Sequence, residues 1–248
     1  VAAATSRGTV TDFGRVRRLA GRLLAEFAVI VVGILIALWA DGRASDRRDR
    51  VTELARISAL ALNVEQTGAA LELEIARTVS GVDALRALVY VTTEELDEEE
   101  VLRSLVYGFL NIPGFSPELN VYDDLKNSGE LGLLTDPELR QALSAMEAAL
   151  DNITAVQQDV NVVQQLNLDP YLLRSVDLGP ILGPYLEMND LGGATEEGWD
   201  FVTGREFRNL VIFKLDLMVL AQEAMEDAAR ELRGVAALLA EHIGAAVE

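Results

Sequence analysis

Cysteine is missing altogether from the 248 residues. Disulfides, thiolate metal centres and cysteine nucleophiles are thereby excluded, and either redox compartment remains open. Histidine occurs once, as His242 near the C-terminus, which leaves no Ser–His–Asp triad and no HExxH metal helix. No GxGxxG or Walker glycine loop occurs. Proline is scarce, with six residues, and none falls between Ser45 and Tyr90. No segment shows sustained period-two alternation, so strands are not expected. These absences leave catalysis without an evident constellation, and neither cofactor nor metal is expected.

Positive charge is scarce beyond the first fifth of the chain. Residues 1–50 carry nine Arg against five acids, whereas residues 51–248 carry twelve basic side chains against thirty-five acids. The net charge of −19 disfavours nucleic acid as a partner. Half of the residues are hydrophobic, so a packed core is expected rather than disorder.

The longest apolar run is FAVIVVGILIALWA at 27–40, fourteen residues with no charge, amide or hydroxyl. Before it, Arg15, Arg17, Arg18 and Arg22 alternate with Phe13, Val16, Leu19 and Leu23. That spacing over Phe13–Leu24 suits a basic amphipathic helix lying on anionic headgroups, with 1–18 as the basic amphipathic N-terminal segment ahead of the run. After it comes a second arginine cluster, Arg43, Arg47, Arg48 and Arg50. The run is short of the roughly 20 residues of a full span, which admits a buried core helix. Its two arginine flanks and the interfacial Trp39 favour a single transmembrane helix over 19–40. Leu38 and Trp39 stand where small residues precede a signal cleavage site, so the run reads as retained. The lipid bilayer is therefore the expected partner. The short N-terminal tail favours a cytoplasmic N-terminus and an extracytoplasmic C-terminal domain.

Residues 41–248 read as an acidic, all-α antiparallel bundle. A stalk helix is expected over 45–90, where Val51, Leu54, Ile57, Ala61, Val64, Gly68, Leu71, Ile75, Val79, Val82, Leu85 and Val89 keep one stripe. A bend or break is expected near Gly81. Thr92 and Thr93 offer an N-cap for the next helix, and Glu98–Glu100 reads as its solvated start rather than a calcium loop. NIPGFSP at 111–117 is a loop. A short helix over 118–126 follows, then a long one from Thr135-Asp136-Pro137 to about Leu168, stopped or kinked at Asp169-Pro170. An irregular loop spans 177–204. The last helix, over 205–242, carries a coiled-coil-like seam of Leu210, Phe213, Leu217, Leu220 and Ala224, resuming after a stutter as Ala228, Leu232, Val235 and Leu239.

Two features near the span exceed this background. Glu26 lies at the membrane boundary with Arg22 one turn before it. Inside the boundary such an acid marks helix association or an ion path; at the boundary it is merely interfacial. Gly33 and Ala37 form a small-xxx-small pair that lets helix backbones approach.

Three runs in order, EFAVIVVGILIAL at 26–38, the Arg/Asp-rich stalk, and YDDLKNSGELGLLTDPELR at 122–140, resemble a family of uncharacterised bacterial single-span membrane proteins. Such proteins have a basic N-terminus, a Gly-Glu-Phe-like entry to the span and a helical C-terminal domain. The chain departs from the pattern at Asp41-Gly-Arg-Ala-Ser, where the family is rich in Asn and Trp. The resemblance implies anchoring and fold without an activity, and a turn built by Tyr122, Ser128 and Gly129.

The first functional expectation is a non-enzymatic membrane-anchored scaffold or interaction protein that forms a homo-oligomer or docks a membrane-protein partner. The alternatives are a small homo-oligomeric pore using Glu26 and Gly33, and a ligand-sensing domain using the 177–204 loop.

Overall fold

The computed structural model describes residues 13–91, 97–134, 136–188 and 199–247. In the first helix, α1 (Phe13–Val89), side chains are described at 31–36, 39, 52 and from 54 onward. The described residues are mostly helical, with no strand among them, so the all-α expectation holds. The chain forms two compact units, Val1–Ala55 and Arg56–Glu248. Among the described residues, no helix is long and apolar enough to cross a membrane. The span expected over 19–40 falls largely on side chains outside the described set, namely 19–30, 37, 38 and 40.

In the first unit, α1 passes through the apolar run. Val32, Ile34, Leu35 and Ile36 are each exposed over more than half of their surface.

The second unit is built on two successive apolar clusters. The first joins Ile57, Leu60, Val64 and Leu71 of α1 to Leu139, Leu143, Met146, Leu150 and Ile153 of α4 (Pro137–Val163). Met225, Ala228, Leu232, Val235 and Leu239 of α8 (Arg205–Val247) complete it. The second cluster joins Val82, Leu85 and Leu88 of α1 to Val160 and Leu168 on the α4 side and to Phe207, Val211 and Met218 of α8. Thus α1 and α4 run in one direction between the clusters and α8 returns. The remaining strut is broken. Helix α2 (Glu98–Ser104) and a π-turn, Leu105–Phe109, lie in the second cluster. An extended strap then carries the chain back to the first cluster, where Phe115, Leu119 and Tyr122 are buried and α3 (Asn120–Asn127) begins. The result is an up-down-up-down bundle whose second member is half helix and half strap.

Several boundaries differ from the sequence expectation, each for a local reason. No break occurs at Gly81, and α1 is continuous to Val89. Gly81 serves a close crossing instead: a Cβ there would lie 3.0 Å from the Tyr107 carbonyl oxygen, and one on Gly108 would lie 3.1 Å from the Gly81 oxygen. Helix α2 is capped by Asp97, whose Oδ1 accepts from the amides of Glu99 (3.0 Å) and Glu100 (3.4 Å). Thr92 and Thr93, the expected cap, lie outside the described residues. Asp136 caps α4, accepting from the Glu138 amide at 2.7 Å with Pro137 in the first turn.

At the expected stop or kink, Asp169-Pro170, a second π-turn, Gln164–Leu168, leads directly into α5 (Asp169–Ser175). Pro170 lacks an N–H, and the first turn of a new helix is where that donor is not needed. Within 177–204, the described part holds single helical turns, α6 (Gly179–Leu182), a 3-10 turn (Gly183–Leu186) and α7 (Asp200–Thr203).

The expected seam of α8 is corrected at Phe213 and Leu220, whereas Ala224 is buried and Leu210 and Leu217 pack half-buried against the second cluster. Phe213 is 47% and Leu220 46% exposed, whereas the buried positions are Phe207, Val211, Lys214, Met218 and Ala221. The buried ridge runs through Lys214, a charged position that an apolar seam does not include. From Ala228 onward, where no charge interrupts, Ala228, Leu232, Val235 and Leu239 are all buried.

Candidate functional site

The residues singled out near the span are distributed along α1. Arg22, Glu26 and Ala37 lie on the helix, and their side chains fall outside the described set, so an Arg22–Glu26 pair is not addressed. Around Gly33 an added Cβ would meet nothing within 4 Å. Trp39 is 63% exposed.

Tyr122, Ser128 and Gly129 sit on α3 and the turn that ends it. The Ser128 amide donates to the Asp124 carbonyl (3.0 Å) and the Gly129 amide to that of Lys126 (3.2 Å). Gly129 takes φ 78°, a left-handed conformation that reverses the chain into the Glu130–Leu133 turn. Tyr122 is buried, and its hydroxyl donates to Glu147 Oε2 at 2.9 Å. Lys126 pairs with the other carboxylate oxygen. Burial, and then the adjacent carboxylate, hold the Tyr122 phenol far above its ordinary range. The hydrogen bond from Lys126 holds the Glu147 carboxyl below the ordinary value. This trio ties α3 to α4.

Two polar constellations were not read from the sequence. The first fixes the strap. An extended segment inside a bundle has no helical partners for its backbone, so other groups must supply them. Asn63 donates to the Glu118 carbonyl (2.7 Å) and accepts from the Val121 amide (3.2 Å). Thr67 donates to the same carbonyl at 3.1 Å. Glu74 accepts from the Gly114 amide at 3.0 Å, and Arg77 approaches its other oxygen at 3.4 Å. From α4, the Gln157 amide, oriented to satisfy both partners, donates to the Phe115 carbonyl (3.0 Å) and accepts from the Phe115 amide (2.8 Å). Thr67 and Glu74 thus interrupt the apolar stripe of α1 where the strap, not a helix, faces it. An open groove of about 440 Å³ runs beside the strap, lined in part by Gln66, Leu73 and Arg77.

The second constellation is Lys214, fully buried in the far cluster. Its ammonium donates to Gln164 Oε1 at 2.8 Å, and Gln164 Nε2 donates to Asp169 Oδ1 at 2.7 Å. Gln164 opens the second π-turn and Asp169 opens α5, so this polar chain joins α8 to the irregular end of the α4 strut. Burial pushes the Lys214 pKa down to about 8, and the Asp169 charge opposes that shift. Beside it, Phe207 packs against Phe109 (5.1 Å between ring centres), Phe201 (5.3 Å, edge-on) and Tyr171 (6.2 Å). The sequence signal was slight: a lysine in register with Phe207, Val211 and Met218, in a chain with only two lysines.

Among the described residues, no group of three or more acidic or histidine side chains is placed to hold a metal ion. The acids of Glu98–Glu100 occupy the first turn of α2, where they complement the helix dipole. Comparison with family models, with curated proteins and with solved structures finds no match.

Proposed function

We propose that the chain is a single-span membrane protein whose helical bundle is a non-catalytic scaffold for self-association or for docking a membrane-protein partner. The observation that carries this reading is the surface of α1 over 31–36. Successive residues on an α-helix are about 100° apart, so six in a row point in every direction. All six are apolar or glycine, and all are exposed. A helix that is apolar on every side has no face for water and requires lipid or protein around it. The arginine clusters at 15–22 and 43–50 bracket the run as interfacial anchors. The Arg/Asp-rich stalk and the 122–140 run are consistent with the resemblance to bacterial single-span proteins. In that reading the span covers 19–40, the N-terminus is cytoplasmic and the acidic bundle extracytoplasmic at the inner membrane.

The absence of cysteine makes the test clean. A single Ala240→Cys variant, expressed in bacteria, should stay with the membrane through alkaline carbonate washing. It should also react with a membrane-impermeant maleimide in intact cells. Release by carbonate would refute the span, and labelling only after lysis would reverse the orientation. Self-association rests on Gly33 and Ala37. Because the space around Gly33 is open within one copy, Gly33→Leu leaves that copy's packing undisturbed. It should weaken association in micelles roughly tenfold, about 1.4 kcal/mol. An unchanged sedimentation profile would remove these residues from the interface.

A further inference from the structure

The two ends of the bundle are built differently. The first cluster is apolar helix against helix over long, regular stretches of α1, α4 and α8. The second contains both π-turns, the short helices α2, α5 and α7, and the fully buried Lys214. Among the described residues, the polar contact of the Lys214 ammonium is to Gln164, whose own amide is committed to Asp169. The facing charge from the α4–α5 strut is Asp169. On α1, Asp83 and Arg86 pair with each other at the surface (2.9 Å), and Arg103 of α2 is exposed. Glu206, Arg208 and Asp216 of α8 are exposed as well, and Tyr171 is buried against Phe207. The ammonium is therefore separated from water by apolar packing and reaches its counter-charge only through an amide.

We propose that the Lys214–Gln164–Asp169 chain makes this end of the bundle a proton-responsive gate, in which the π-turn and α5 separate from α8 more readily when Lys214 is protonated. The sign follows from linkage. In the closed state burial holds the lysine pKa at about 8; once opened to water it returns to the ordinary value near 10.5. Protonation therefore favours the open state, fully below pH 8 and progressively less as pH rises toward 10.5. Segments opening independently of the remaining core are the usual form of such sub-global motion. The regular first cluster, whose Lys126 is exposed and paired with Glu147, is the internal control.

The test is amide hydrogen exchange of the full chain in detergent micelles at pH 7 and 9.5, corrected for intrinsic exchange. Between these values the opening equilibrium of 164–175 and 207–218 should fall about 30-fold, from the two lysine pKa values. Opening of 139–153 and 225–239 should not change. In Lys214→Met the pH response should disappear. An identical response in Lys214→Met, or an equal change at both ends, would overturn the proposal. Should that variant not fold, Asp169→Asn serves. Removing the counter-charge must move the fall to lower pH, and an unmoved profile refutes the gate.

Discussion

Asn63 is the side chain on which the strap's return into helix depends, and its removal makes a quantitative test. Helix α3 has Leu119 at its N-cap, which offers no side-chain oxygen. Asn63, reaching from α1, supplies that oxygen to the Val121 amide and uses its own amide on the Glu118 carbonyl. Asn63→Ala removes both bonds. The bond to Val121 is partly buried and acts as a cap, contributing about 1 kcal/mol. The bond to Glu118 is exposed, so water substitutes and the loss is about 0.5 kcal/mol. A total near 1.5 kcal/mol is expected for Asn63→Ala, and about 1 kcal/mol for Thr67→Ala. The two share one acceptor, so together they should be worse than their sum by at least about 0.5 kcal/mol, because the Glu118 carbonyl is then bare. Urea unfolding of the solubilised chain, at constant denaturant slope, measures all three. A loss below about 0.5 kcal/mol for Asn63→Ala, or strict additivity, would refute the account of the strap.

Other expectations follow from glycines and from pH. Gly68→Ala meets open space on α1 and should stabilise by up to about 1 kcal/mol in thermal unfolding. Gly81→Ala meets the Tyr107 carbonyl at 3.0 Å, so the same propensity gain is offset and the midpoint should not rise. Gly129→Ala also has open space, yet its φ of 78° should cost about 1 kcal/mol, purely from the backbone. Glu147, with its folded pKa depressed by Lys126, contributes stability that is present above the ordinary carboxylate range and lost as pH falls through it. Glu147→Gln should therefore flatten the acid limb of a stability–pH curve; an unaltered limb would assign that slope elsewhere.

How far the sequence reads through to the structure can be followed on α1 and α8. On α1, Ile57, Val64, Leu71, Val82 and Leu85 stand where the apolar spacing puts them, because helix against helix buries one regular stripe. Thr67, Glu74 and Thr78 share that stripe and were passed over, since their role depends on what faces them. The strap faces Thr67 and Glu74, and its sequence with two prolines announces a loop without saying that the loop packs against α1 and α4. Asp136-Pro137 was legible as a helix start because capping is local. The continuation past Asp169-Pro170 was not, because a π-turn is decided by what packs on either side of it.

The sequence by itself determined the all-α class, the apolar run at 27–40 with its arginine flanks, the helix start at Asp136-Pro137 and the loop at 111–117. Each follows from contacts within a turn or two of helix, or from side-chain hydropathy alone. Only the tertiary structure decided which ridge of α8 faces the core, why α1 carries polar side chains inward, and that Lys214 is enclosed with Gln164 and Asp169. The deciding partners lie far apart in the chain, Lys214 and Gln164 by fifty positions and Asn63 and Val121 by fifty-eight. Whether a buried polar atom is tolerated depends on the partner that folding brings to it, and no local pattern contains that partner.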